Sequence, residues 1–152
     1  MKLIIDFGNS RVKLALFSKK DLVATKTIKL FSRKEVIGFC GDNNISSSIY
    51  SSVRKLNDEE KKLVSSLNCL ELNKHTPLPI SSIYESYVGS DRIAAVVGAT
   101  FLFPNKDIWV FDAGTCLTAD FIDKEKKYHG GRITSVSYTH LRAHETPEPR
   151  GC

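Results

Sequence analysis

The chain lacks the features that mark several large protein classes. No apolar stretch reaches the roughly 18 residues needed to span a bilayer; the longest mainly apolar run is residues 93–103. The first residues, Met1-Lys2-Leu3-Ile4-Ile5, meet Asp6 too early for a secretion signal, so a cytoplasmic protein is expected. Cysteine is limited to Cys40, Cys69, Cys116 and Cys152, without C-x-x-C spacing or a neighbouring histidine. This argues against a zinc site and, at 152 residues, against a disulfide scaffold, and leaves reduced thiols that are mostly buried. Positive charge is not concentrated either. The 22 Lys and Arg outnumber the 17 Asp and Glu by five, but they come in short groups such as Lys19-Lys20 and Lys61-Lys62, without interleaved aromatics. Nucleic acid and membrane are therefore not expected as partners, and the mild basicity suits a small anionic ligand. With 41% hydrophobic residues, the length allows one domain or two small lobes around a core.

What is present reads as alternating strands and helices. Residues 2–7 are apolar up to Asp6, and Val12, Leu14 and Leu16 alternate with Lys13 and Ala15, so the intervening Gly8-Asn9-Ser10 predicts a β-hairpin with Asp6 beside its turn. Residues 22–30 predict a third antiparallel strand. Ser32 and Glu35 have capping-box spacing and open a short helix through Val36, Ile37 and Phe39. Residues 45–53 form a serine-rich strand. A second helix starts at Asn57, with Glu60 three residues on and Leu63, Val64 and Leu67 on one face. Residues 76–80 are a proline-broken connection. Ser90 is expected to cap an apolar helix over 91–103, with Ile93, Val96, Val97, Thr100 and Phe101 towards a core and Pro104-Asn105 ending it. Residues 108–111 predict a short buried strand ending in Asp112, and residues 116–122 predict another. The sum is an α/β protein with a mixed sheet.

From residue 136 the composition changes. Val136-Ser137-Tyr138-Thr139-His140-Leu141-Arg142-Ala143-His144-Glu145-Thr146 has no helix or strand periodicity and resembles a transposase-type sequencing adapter translated in one frame. The expectation is that residues 135–152 are a non-native tail, that His140 and His144 have no function, and that the natural coding sequence continues past Thr134.

One local pattern occurs twice. Leu3-Ile4-Ile5-Asp6-Phe7-Gly8-Asn9-Ser10 matches Trp109-Val110-Phe111-Asp112-Ala113-Gly114-Thr115-Cys116 in kind: an apolar strand, an Asp, one residue, a Gly and small residues. A single copy is an ordinary hairpin. Two copies, each with a carboxylate beside a glycine turn, suit a polyphosphate held between them with an Asp for its cation.

The duplicated turn resembles the phosphate loops of the superfamily of actin, heat-shock ATPases and sugar kinases. The ordered set Asp6-Phe7-Gly8-Asn9-Ser10 with Lys13, Gly89-Ser90-Asp91-Arg92, Asp112-Ala113-Gly114-Thr115 with Asp120, and Gly130-Gly131-Arg132-Ile133 resembles the motif series of type III pantothenate kinases. The resemblance implies a ribonuclease-H-like (actin-like ATPase) fold, with a complete first lobe at residues 1–104 and a truncated second lobe at 105–134. It also implies ATP-dependent phosphorylation of pantothenate, the first step towards coenzyme A, with this chain an inactive fragment.

Carried over by position, Asp6, Phe7, Gly8, Asn9, Ser10, Arg11, Val12 and Lys13 form the first ATP-phosphate loop, and Thr115 the ATP contact of the second. Asp112 is the ligand of a monovalent cation, K+ or NH4+, and a divalent cation such as Mg2+ accompanies ATP. Gly89, Ser90, Asp91 and Arg92 bind pantothenate; Asp91 is the proton acceptor, and Arg92 is available for the substrate carboxylate. Ser82 stands where the family has a substrate-contacting tyrosine, and a two-residue deletion makes Tyr84 its counterpart. The family's Pro-Gly after the last motif is missing. A homodimer is implied at full length. Two other readings are another small-molecule kinase of the superfamily and a non-catalytic accessory or regulatory protein of the same fold.

Overall fold

The computed structural model describes residues 1–73, 75–82, 88–114 and 116–135, without the side chain of Ser82. Two sheets are built in succession along the chain. β1 (Lys2–Phe7), β2 (Val12–Ser18) and β3 (Asp21–Ile28) form an antiparallel meander. The chain then crosses through α1 (Arg33–Cys40) to β4 (Ser47–Ser52), parallel to β1, and through α2 (Asp58–Ser66) to the two-residue β5 (Leu70–Glu71), parallel to β4. The order β3-β2-β1-β4-β5 makes this a mixed five-stranded sheet, as the sequence pattern predicts. After β6 (Ser81–Ser82) and α3 (Ser90–Leu102) come β7 (Ile108–Ala113), β8 (Cys116–Ile122) and β9 (Lys127–Ser135), a second meander in the order β6-β9-β8-β7. The short β5 and β6 have no pattern of their own and exist only through pairing. No helix among the described residues is long and apolar enough to cross a membrane.

Alternation in β1 and β2 decides the main core. Leu3, Ile5, Phe7, Val12, Leu14 and Leu16 all point to one face and are buried against Phe31, Val36, Cys40 and Val64. The face bearing Ile4 and Asp6 is left for other contacts. A second core gathers Val96 of α3, Ile122 and Tyr128, with Ile93, Ile108 and Val110 packed on them. Burial pushes the thiols of Cys40 and Cys69 up, which disfavours the thiolate and fits an inert packing role.

Several expectations change in the structure. Ile37 and Phe101 are 57% and 59% exposed, since α1 uses Val36 and Cys40 for its core stripe while Lys20 sits 4.8 Å over the Phe101 ring. The Ser32 box is half formed. The Ser32 hydroxyl accepts from Glu35 N–H at 3.3 Å, but the Glu35 carboxylate pairs with Lys26 at 2.8 Å instead of reaching back. The strand expected to be buried at 108–111 continues to Ala113 and shows one face to solvent, with Trp109 and Phe111 exposed and stacked beside Phe121. His75 is exposed in a turn, and His129 pairs with Asp123 at 2.6 Å across the β8–β9 connection.

The box at α2 is complete: Asn57 Oδ1 accepts from Glu60 N–H at 2.8 Å, and Glu60 Oε2 accepts from Asn57 N–H at 3.0 Å. Glu60 is buried because Arg54 meets it with two parallel bonds, 2.7 and 2.8 Å, while the guanidinium stacks 5.4 Å from the Phe7 ring. The Arg54 bonds first, then the Asn57 N–H, hold the Glu60 carboxyl below the ordinary carboxylate range in spite of burial. A depressed folded-state pKa stabilises above the unfolded value, near about 4.3, and the contribution is lost as pH falls through the folded value. Urea midpoints measured between pH 7 and pH 3 should therefore drop on acidification. In Glu60→Gln the midpoint should be lower at pH 7 and its acid dependence shallower; an unchanged slope would assign the acid limb to other carboxylates.

Candidate active site

The motif residues collect at one edge because parallel strands end together. β1 and β4 run in register from Lys2↔Ser47 to Phe7↔Ser52, so Asp6 lies beside Ser51, whose hydroxyl donates to Asp6 Oδ1 at 3.0 Å. On its other side Asp6 is paired with Lys13. The Gly8 N–H donates to the Arg11 carbonyl at 3.0 Å, closing the turn, and a Cβ at Gly8 would press that oxygen at 3.1 Å. The turn thus exposes Asn9, Ser10 and Arg11, followed by exposed Lys13, a cationic and hydroxyl-bearing rim suited to phosphate. Phe7 and Val12, expected as part of the ATP loop, are 0% and 1% exposed. Their side chains belong to the core, and only their backbone can serve a ligand.

The start of α3 is brought to the same edge by Ser90. β5 pairs only with Ile49 and Tyr50, so the backbone of Ser52 has no strand neighbour on that side. The Ser90 hydroxyl fills the gap: it accepts from Ser52 N–H and donates to the Ser52 carbonyl, both at 3.3 Å. This corrects the expected role of Ser90. Gly89 takes the cap position with no side-chain bond, and Ser90 is the first helical residue, its oxygen drawn off to β4. Asp91 lies back over the helix start, so close that a Cβ on Gly89 would come within 2.6 Å of its Oδ1.

Arg92, expected to be available for a substrate carboxylate, is engaged within the chain. Its Nε and Nη2 hold the two oxygens of Asp120 at 2.9 and 2.6 Å, and its Nη2 lies 3.5 Å from the Tyr128 hydroxyl, which itself donates to Asp120 Oδ1. Asp120 is 2% exposed. This hydrogen bonding strengthens the Arg92 charge further. Space for the carboxylate comes from Gly131, its neighbour on β9, where a Cβ would lie 2.0 Å from the Ala119 carbonyl and 2.4 Å from Asp120 Oδ1. The fourth motif, which the sequence singles out without a role, thus makes room for an ion pair between the second and third.

The second glycine turn is not a copy of the first. Four residues separate the closing pair Phe7↔Val12 and three separate Ala113↔Leu117, and Gly114 N–H donates to the Cys116 carbonyl at 3.0 Å. Asp112 sits within β7, opposite Thr118 and one inward-facing row beyond Asp120, and not past the strand's end. A Cβ at Gly114 would meet nothing closer than 4.0 Å, so the chain itself does not demand glycine there. Thr115 and Tyr84 lie outside the described residues. Among the described residues no three His, Cys, Asp or Glu side chains gather as a metal site. Sequence reasoning missed Ser51, Ser52 and Tyr128, whose partners stand 45, 38 and 8 residues away, and gave Asp120 no role although its motif contains it.

The chain is similar to known proteins. The model of the type III pantothenate kinase family matches residues 2–141, and the chain belongs to that family. A type III pantothenate kinase from Bacteroides fragilis is 39% identical over 150 residues, covering 94% of this chain and 60% of the relative. One from Phocaeicola vulgatus is 41% identical over 138 residues, covering 88% and 57%. One from Cytophaga hutchinsonii is 40% identical with the same coverage. The chain therefore spans about 60% of the length of these relatives.

The glycines provide a direct check on the packing. Gly131→Ala should destabilise the chain by at least about 1–3 kcal/mol through overpacking. Gly98→Ala, in the middle of α3 with nothing within 4 Å of the new Cβ, should stabilise it by about 0.5–1 kcal/mol. Thermal melts of the two variants beside the parent read both signs, and a neutral Gly131→Ala would contradict the close approach of β9 to Asp120.

Proposed function

We propose that this chain forms the nucleotide- and pantothenate-binding part of a type III pantothenate kinase, which transfers the terminal phosphoryl group of ATP to the hydroxyl of pantothenate. The observation that carries this reading is the family match over residues 2–141, in a chain whose Asp6 turn and Asp91 helix start meet at one edge through Ser51, Ser52 and Ser90.

The fold reading is a ribonuclease-H-like first lobe over residues 1–104, a second lobe beginning at 105, and a non-native tail over 135–152. The order β3-β2-β1-β4-β5 and the repetition of the three-strand meander in β7, β8 and β9 support the two-lobe reading. Asn9, Ser10, Arg11 and Lys13 would line the triphosphate, with Thr115 contacting it from the second turn. Gly114, unconstrained by its own chain, would let phosphate come close. Asp6 and Asp112 are the carboxylates available to cations. Since no three His, Cys, Asp or Glu gather among the described residues, a divalent ion such as Mg2+ would rely on the phosphates for most of its ligands, and Asp112 would hold K+ or NH4+.

At the acceptor, Asp91 orients the hydroxyl and takes its proton as the new P–O bond forms and the bond to the ADP oxygen breaks. Its place on the first turn of α3 presents it at the edge where the Asp6 turn lies. Gly89, Ser90 and Tyr84 would complete the acceptor pocket. The family resemblance further implies a homodimer.

The test is a coupled assay with ATP, Mg2+, K+ and pantothenate, on the 152-residue chain and on residues 1–134 continued into the C-terminal part of the Bacteroides fragilis relative. Turnover in the extended chain supports the reading. Nucleotide binding without turnover of pantothenate would favour an accessory protein, and turnover of another hydroxyl compound a different kinase. In the extended chain Asp91→Asn should lower kcat by about 10² to 10⁴ with little change in nucleotide affinity. Asp112→Asn should weaken the response to potassium, and an unaltered titration with KCl would remove Asp112 from the cation site.

A further inference from the structure

Three consecutive residues at the start of α3 have different partners. Ser90 is bonded to the backbone of Ser52 in the first sheet, Arg92 is bonded to Asp120 and Tyr128 in the second, and Asp91 stands between them. The first turn of the helix is thereby fastened to both sheets, one residue to either side of the carboxylate.

The two fastenings differ in strength. The serine bonds are neutral and long, at 3.3 Å. The second is a bidentate ion pair with a guanidinium only 12% and a carboxylate only 2% exposed, closed off by a fully buried phenol. A planar fork held at two oxygens admits little rotation, so it fixes direction as well as distance. Such a pair is a poor device for stability, since apolar residues of similar volume often serve as well, but a good one for registry.

We infer that Asp120 and Tyr128 are positioning residues, holding Arg92 so that Asp91 is presented at the edge shared by the two sheets. They touch neither substrate in this scheme; they act through Arg92. The inference rests on the proposed role of Asp91, but its structural half is independent of activity. Gly131 belongs to the same device, since any side chain there would displace the Asp120 carboxylate.

Asp120→Asn keeps the shape and removes the charge. Tyr128→Phe removes only the hydroxyl and leaves the buried ring, so it remains informative if Asp120→Asn folds poorly. In the 152-residue chain, amide hydrogen exchange over residues 93–96, whose N–H groups bond back to the first turn of α3, should quicken about tenfold or more in both variants, with β1 and β2 unchanged. In the extended chain kcat should fall by about 10²-fold, the loss that a misplacement on the order of 1 Å can cause, while KM for ATP stays within twofold. Exchange that rises evenly over the whole chain, or kcat within twofold of the parent at a temperature where the variants are folded, would reduce these residues to packing and overturn the inference. If the unaltered extended chain is inactive, the proposed function fails, and the exchange data still decide whether the start of α3 is held as inferred.

Discussion

The start of α3 meets the second sheet through one buried ion pair. Arg92 and Asp120 are 28 residues apart and on different elements, yet they tie the start of α3 to the second sheet. Removing one partner leaves the other charge largely buried, a loss of about 3–5 kcal/mol in comparable sites. Three features of the sequence converge on the pair: an arginine following Asp91, an aspartate eight residues after Asp112, and a glycine next to Gly130. Each looks unremarkable alone. Together they define how a helix from one half of the chain meets the sheet of the other.

The first half has an analogous arrangement under its glycine turn. Arg54 is held by Glu60, Glu60 by the cap of α2, and the arginine plane lies on Phe7, whose carbonyl accepts from Val53 N–H at 3.1 Å. The turn at Gly8 is therefore backed by a charged, hydrogen-bonded support on its core side and is open on the other. Backbone fixed from behind, with donors and cations facing out, suits the phosphate-binding role proposed for this turn.

How much of this could be read from the sequence depended on distance along the chain. The β1–β2 hairpin, the α2 cap at Asn57 and Glu60, and the break at Pro104-Asn105 are local, and their residue types specify them. The mixed sheet was legible because alternating and helical segments succeed one another. What stayed hidden was long-range. Nothing near Tyr128 announces that its hydroxyl will serve a carboxylate on the neighbouring strand, and nothing near Ser90 says that its oxygen will leave the helix cap for β4. The same cause explains Ile37 and Phe101. A periodic pattern offers two candidate faces, and only the packing partner, Phe31 for α1 and Tyr128 for α3, selects between Val36 and Ile37 or between Val96 and Phe101. The site residues were recognisable as motifs, but their side-chain partners were not.

The second sheet has two dissimilar faces. The inner one carries Ile108, Val110, Ile122 and Tyr128 against α3, and the outer one bears Trp109, Phe111 and Phe121 in a stacked row. Trp109 is the only tryptophan in the sequence and is 60% exposed. The indole is thus a built-in optical probe at a single known address. Whatever comes to lie on that face will dry the ring and move its emission to shorter wavelength, while events in the first core, which has no tryptophan of its own, will pass almost unseen.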